Sequence, residues 1–195
     1  LSHDAADCAQ LSKAIRSGNE GIVKLLIQSG APVNPTQVSF SPPLSEAANW
    51  RRIGIMKLLL KSGARVDGLD SHGQTYLASL GFFFPQVLRI LLEAGANPNA
   101  TAREGQTAVM QAAGLGFEES VKILIEFHAD PNLKDHKGRT ALMHAAMGGY
   151  VDAIPLLLDN GADANVRDSE GKTALDLALT SKKQIAIKLL SAAKK

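Results

Sequence analysis

Cysteine is nearly absent from this 195-residue chain, which carries Cys8 alone, and tryptophan is equally scarce, with Trp50 alone. One cysteine excludes an internal disulfide framework and a cysteine-rich zinc site, so stability has to come from packing. Aromatic residues make up only 5% of the chain, so aliphatic and small side chains must supply most of the core. Charge of one sign is also lacking: 21 Lys and Arg stand against 19 Asp and Glu, a formal net charge of +2. That balance implies neither a nucleic-acid nor a membrane partner, and any electrostatic recognition must come from a local cluster. No apolar run approaches the roughly 18 residues of a membrane span. The N-terminus lacks the charged segment followed by a hydrophobic one that marks a signal peptide. A cytoplasmic location is the expectation. Because the chain begins at Leu1 rather than Met, a secreted or periplasmic one stays open.

What the chain does have is a period. Gly-Ala recurs at Gly30-Ala31, Gly63-Ala64, Gly95-Ala96 and Gly161-Ala162, with His128-Ala129 in the remaining place, at steps of 33, 32, 33 and 33 residues. A second marker keeps the same beat, G-x-T at Gly73, Gly105, Gly138 and Gly171. A third does so too: Leu11, Leu44, Leu77, Val109, Leu142 and Leu175 each begin a small apolar turn. Three markers with one period mean an array of similar units.

Within a unit, G-x-T leads into a short alanine-rich segment such as TALMHAA. A glycine break at Gly148-Gly149 then precedes a more apolar segment such as AIPLLLDNGA. This pattern predicts two short antiparallel helices, with the Gly-Ala glycine at a helix C-terminus and a turn projecting before the next unit. Neither helix can bury its apolar face alone, so each unit depends on its neighbours.

These residues resemble the ankyrin repeat family: G-x-T-A-L-x-x-A-A, then V-x-I-L-I or I-P-L-L-L, then G-A-D-x-N, recurring in phase across nearly the whole chain. The resemblance implies an all-α solenoid of stacked helix-turn-helix units with projecting β-turn or hairpin loops. It forms a single domain over 1–195, with units at about 4–36, 37–69, 70–101, 102–134, 135–167 and 168–195. The first unit opens with polar DAADCAQ and the last ends at LLSAAKK without a Gly-Ala turn. Both are read as caps with polar outer faces, and the array as complete. The family's T-P-L-H histidine is replaced by Met110, Met143 or Asp176, so its turn-to-helix hydrogen bond is not carried over. Pro42-Pro43 after Ser39-Phe40-Ser41 predicts an irregular turn, and Pro155 predicts a second helix that starts late or bends.

Catalytic signatures fail one by one. Gly171-Lys172-Thr173 looks like the end of a phosphate loop, but Val166 stands where the first glycine is required. The run from Asp163 to Asp168 departs from a calcium loop through Arg167 and Asp168. The histidines, His3, His72, His128, His136 and His144, show no ligand spacing. His144 is read as a packed or hydrogen-bonded inner-helix residue rather than a catalytic one. No cofactor, no metal and no small-molecule substrate are expected, and the chain is read as non-enzymatic.

Members of the family bind partners through the projecting turns and the exposed face of the first helices. By position, the turns contribute His72, Gln74, Arg103, Gln106, His136, Lys137, Arg139 and Lys172. The ends of the first helices contribute Trp50, Phe82, Phe83, Leu115 and Met147. Trp50, Phe82 and Phe83 are the expected anchors, because buried aromatic anchors dominate interface energies. Phe84, Phe117 and Tyr150 are expected to pack between units. The reading is a monomeric protein-interaction module that binds a protein or peptide along a concave groove. The alternatives are a substrate-recruiting domain of a larger enzyme or regulatory protein, or a polyanion-binding surface on the basic turns of units 4 to 6. Nucleic acid is disfavoured because the aromatics and the basic residues occupy different parts of the array.

Overall fold

The computed structural model describes residues 3–35, 42–68, 75–79 and 83–193. Among them the chain is helical, and its twelve α-helices come as six consecutive pairs. These are α1 (His3–Ser17) with α2 (Glu20–Gln28), α3 (Pro43–Asn49) with α4 (Ile53–Lys61), and α5 (Tyr76–Ser79) with α6 (Pro85–Glu93). Then come α7 (Ala108–Leu115) with α8 (Glu118–Glu126), α9 (Ala141–Gly148) with α10 (Ala153–Asp159), and α11 (Ala174–Thr180) with α12 (Gln184–Ala192). The odd-numbered helices form an inner row and the even-numbered ones an outer row.

The composition explains the layering. Inner helices α7 and α9 bury Ala108, Ala112, Ala113, Ala141, Ala145 and Ala146 completely, and such small side chains let neighbouring backbones approach closely. A Cβ added to Gly148 would stand only 2.8 Å from the carbonyl oxygen of Gly114. The outer helices bring the bulk, with Ile55, Leu59, Leu88, Leu91, Leu124, Ile154 and Leu157 at 1% exposure or less. One continuous core therefore runs the length of the stack.

Polar ties join unit to unit. The Asn34 side chain accepts the N–H of Arg65 and donates to the carbonyl of Gly63. Asn132 repeats both bonds with Asp163 and Gly161, each at 2.8 Å. Glu46 on α3, 5% exposed, accepts from Ser12 and Arg16 on α1. The turns are linked as well: the N–H of His136 donates to the carbonyl of Glu104 at 2.8 Å, and that of Ser169 to the carbonyl of Lys137 at 2.9 Å.

The irregular positions have local causes. His128 takes a φ of 64°, the left-handed conformation of Gly30, Gly63, Gly95 and Gly161 at the same place in their units. A Cβ at those glycines meets nothing within 4 Å, so a side chain fits there at the expense of backbone strain alone. Pro155 sits in the first turn of α10, whose seven residues begin at Ala153, whereas α8 has nine. The helix starts late, since the ring is tolerated only there. Pro85 opens α6 in the same way. The Ser39-Phe40-Ser41 turn lies outside the described residues.

The T-P-L-H departures find substitutes. Asp176 accepts the N–H of Thr173 at 2.9 Å and the Thr173 hydroxyl at 2.7 Å, closing a capping box at α11. In the preceding unit His144, one place after Met143, reaches Asp135 in its own turn, Nε2 to Oδ2 at 2.9 Å. Asp135 also accepts the N–H groups of Lys137 and Arg139. The helix is thus tied to the turn from the adjacent position.

The expectation of polar end faces is corrected. Ile22 and Leu25 on α2 are 47% and 66% exposed, whereas Ser120 and Ile123, their equivalents on α8, are 0% and 2% exposed. At the other end Leu179 is 51% exposed, and its equivalent Ala146 is fully buried. Apolar positions that inner units bury against a neighbour are therefore bare in the terminal ones.

Candidate partner-binding surface

The end of each inner helix and the step to its outer helix form a repeated surface along the stack. In most units that step is made by a residue in the left-handed conformation: Gly18, Arg51, Gly116, Gly149 and Lys182 have φ of 75°, 51°, 80°, 77° and 56°. The third unit is one residue shorter and has none at this step among its described residues, which confines Phe83 and Phe84 between α5 and α6.

The side chains just before this step are exposed in register. Trp50 is 53% exposed, Phe83 41% and Leu115 49%, each six residues beyond the leucine or valine that begins its inner helix. Phe83 stands edge-on to Phe117 with 5.3 Å between ring centroids, and its ring lies 6.4 Å from that of Phe84. Phe84 and Phe117 are half-buried against the core. The guanidinium of Arg51 in the second unit covers the Phe84 ring at 5.3 Å. Tyr150 remains 43% exposed, although its ring lies across Gly116 and Gly148 in two adjacent units. Met147 is half-buried and packs against the core, so it contributes less open surface than its position suggested. Phe82, His72 and Gln74 lie outside the described residues.

The turns present a second, polar surface. Arg103, His136 and Lys137 are exposed, and the His136 imidazole lies over Gly105 of the preceding turn. Gln106 is half-buried and its carbonyl accepts the N–H of Ala102 at 2.7 Å. The basic cluster is more neutral than its sequence implies. Arg139 is 3.5 Å from Asp168 and 4.0 Å from Glu170, while Lys172 pairs with Glu170 at 2.7 Å. Burial acts to raise the Asp168 pKa, but the N–H groups of Lys172 and Glu170 and the Arg139 guanidinium outweigh it and hold it below the ordinary carboxylate value. Glu170 in turn holds the Lys172 ammonium above its usual value. Arg167 donates to the Gly171 carbonyl at 2.7 Å. Arg103 and Lys137 have no carboxylate partner among the described residues.

Arg51 and the Asp135 to His144 bond are not among the sequence expectations, whereas Tyr150, expected to pack between units, lies across Gly116 and Gly148. The signal for Arg51 was a non-glycine in the place of Gly18, Gly116 and Gly149. The signal for the bond was an aspartate opening the turn nine residues before the histidine. Among the described residues no group of His, Cys, Asp and Glu could hold a metal ion, and no helix is long and apolar enough to cross a membrane.

The ankyrin-repeat sequence pattern matches residues 11–102, 75–168 and 109–195. The fold is similar to that of an ankyrin repeat domain from Acinetobacter baumannii AYE, with a TM-score of 0.87 and 28% identity over 94% of this chain and 97% of that one. No curated protein sequence matches the chain.

Proposed function

Because the chain belongs to the ankyrin repeat family, whose repeats generally serve in protein–protein interaction, we propose that it is a non-catalytic, monomeric module. In this reading it holds a segment of a partner protein along a groove that passes Trp50, Phe83 and Leu115. The observation that carries the reading is the exposure, in register and from three consecutive units, of three large apolar side chains within the stack, away from the bare terminal faces. Scattered apolar residues are ordinary on a surface, whereas an aligned row of them marks an interaction site.

The turns flank this row with Arg103 and Lys137, whose charges are free to complement an acidic stretch of the partner. A polyanion-binding role is less well supported, since Arg139 and Lys172 are answered by Asp168 and Glu170. Nucleic acid binding rests on many unpaired cations beside stacking rings.

Affinity capture from the native cell tests the proposal, with the intact chain beside a Trp50→Ser, Phe83→Ser double variant of matched circular dichroism. The expected result is a partner recovered with the intact chain and lost with the variant. Equal recovery by both would overturn the reading.

A further inference from the structure

Where the second and third units meet, a cleft of about 650 Å³ opens between the start of α4 and the start of α6. Trp50, Arg51, Arg52 and Ile53 line one side, and the turn from Phe84 to Val87 lines the other. Among the described residues, two guanidinium groups belong to this cleft and no carboxylate does, and the first turns of α4 and α6 contain no acidic residue.

The two arginines have different commitments. Arg52 turns toward the first unit, where Nη2 donates to the Arg16 carbonyl at 2.6 Å and the guanidinium lies against Gly18. Arg51 lies over the Phe84 ring and has no carboxylate partner among the described residues. Its backbone adds a second point. With a φ of 51°, Arg51 occupies a step at which Gly18, Gly116 and Gly149 stand in three other units and Lys182 in the last, so the turn favours glycine and accepts a long basic side chain only against backbone strain.

We infer that this cleft binds an acidic side chain of the partner segment together with a large apolar residue next to it. The carboxylate pairs with the Arg51 guanidinium, and the apolar neighbour fills the space between the Trp50 indole and the wall made by Phe84 and Pro85. A guanidinium presents two parallel donors to a carboxylate, and an aromatic ring beneath it fixes the plane in which those donors lie. The cleft is open and its lining mixes polar and apolar groups, so it is the bound segment that covers Arg51, and a neutral residue in the same place would leave the guanidinium covered and unpaired, which is the source of discrimination. One free guanidinium beside the Trp50, Phe84 and Pro85 side chains suits an amphipathic protein segment and not a polyphosphate chain, which draws on a series of cations. The inference rests on the partner-binding reading above and names the chemistry that one end of the surface selects.

Trp50 is the single tryptophan, so its emission reports on this cleft directly. Arg51→Gly places in the second unit the residue that three other units carry at the same step, so the variant keeps the fold. A displayed library of random peptides is selected in parallel on the intact chain and on Arg51→Gly. The intact chain is expected to enrich peptides with Asp or Glu beside a large apolar residue, and a selected peptide to shift Trp50 emission saturably. Replacing that Asp or Glu by Asn or Gln should weaken binding at least roughly tenfold, and Arg51→Gly should bind both forms equally. No acidic enrichment on the intact chain, the same enrichment on both proteins, or peptides held only by a free C-terminal carboxylate would overturn the inference. If Arg51→Gly captures the cellular partner as well as the intact chain while the Trp50, Phe83 variant loses it, the acidic-residue assignment fails and the interaction-module reading stands.

Discussion

The Phe83 ring meets the Phe117 ring edge-on, with 5.3 Å between centroids and 72° between planes. The third and fourth units are therefore joined, on the proposed binding surface itself, by an aromatic pair. Phe83 has one edge in the unit interface and leaves 41% of its surface open.

This dual position sets the stability of Phe83→Ser. An aromatic pair contributes about 0.5–1.5 kcal/mol beyond burial, and with partial burial added the total loss is expected near 2 kcal/mol. Urea unfolding followed by circular dichroism measures it. A loss of about 4 kcal/mol, the range of a full core deletion, would show that Phe83 is core and not available to a partner.

Equivalent positions in different units should respond unequally to truncation. Ile123, 2% exposed, should lose about 2–4 kcal/mol on substitution by alanine. Leu25, at the same place in the first unit and 66% exposed, should lose no more than about 0.5 kcal/mol. Paired urea curves for Leu25→Ala and Ile123→Ala check this. Equal losses would mean that the outer face of the first unit is covered in solution.

His128 holds a positive φ that glycine supplies in four other units. His128→Gly is expected to raise stability by about 1 kcal/mol by relieving the left-handed strain. A lower thermal midpoint would show that the imidazole has a compensating role.

Acid sensitivity should concentrate at Asp168. Its pKa is depressed in the folded chain, so it contributes stability above the unfolded-state value of about 3.9, and the contribution is lost as pH falls through the folded value. The urea midpoint of the intact chain should therefore drop below about pH 4, and Asp168→Asn should flatten that limb while lowering stability at neutral pH. An unchanged acid limb would remove Asp168 as its cause.

The period, the helix pairs and the late start of α10 were legible because each follows from local chemistry. A left-handed residue closes a helix, a proline enters only a first turn, and alanine and leucine sort themselves between two rows. Even His128 could be aligned with the glycines before its backbone was known. Exposure was less legible. Leu25 and Ile123 differ little as residues and differ entirely in what covers them. Charge pairing was hidden for the same reason, since Arg139 meets Asp168 only after two turns from successive units are stacked. The His144 to Asp135 bond was hidden because the histidine stands one residue after the family's own histidine position and its partner lies nine residues back in the turn. Phe83 is legible as a candidate from its position, but its edge-on contact with Phe117 joins two units and shows only once they are stacked.

In the proposed reading a partner binds along the row of apolar side chains at the ends of the inner helices. Isothermal titration of the captured partner against the intact chain, Phe83→Ser, Leu115→Ser and Leu25→Ser tests it most directly. Truncating an anchor at an interface is expected to lose at least about 2 kcal/mol, a roughly thirtyfold weaker Kd, for Phe83→Ser and for Leu115→Ser. Leu25→Ser, equally apolar and exposed but at the end of the stack, should bind as the intact chain does. Unchanged affinity in the two row variants, or a loss confined to Leu25→Ser, would contradict the claim.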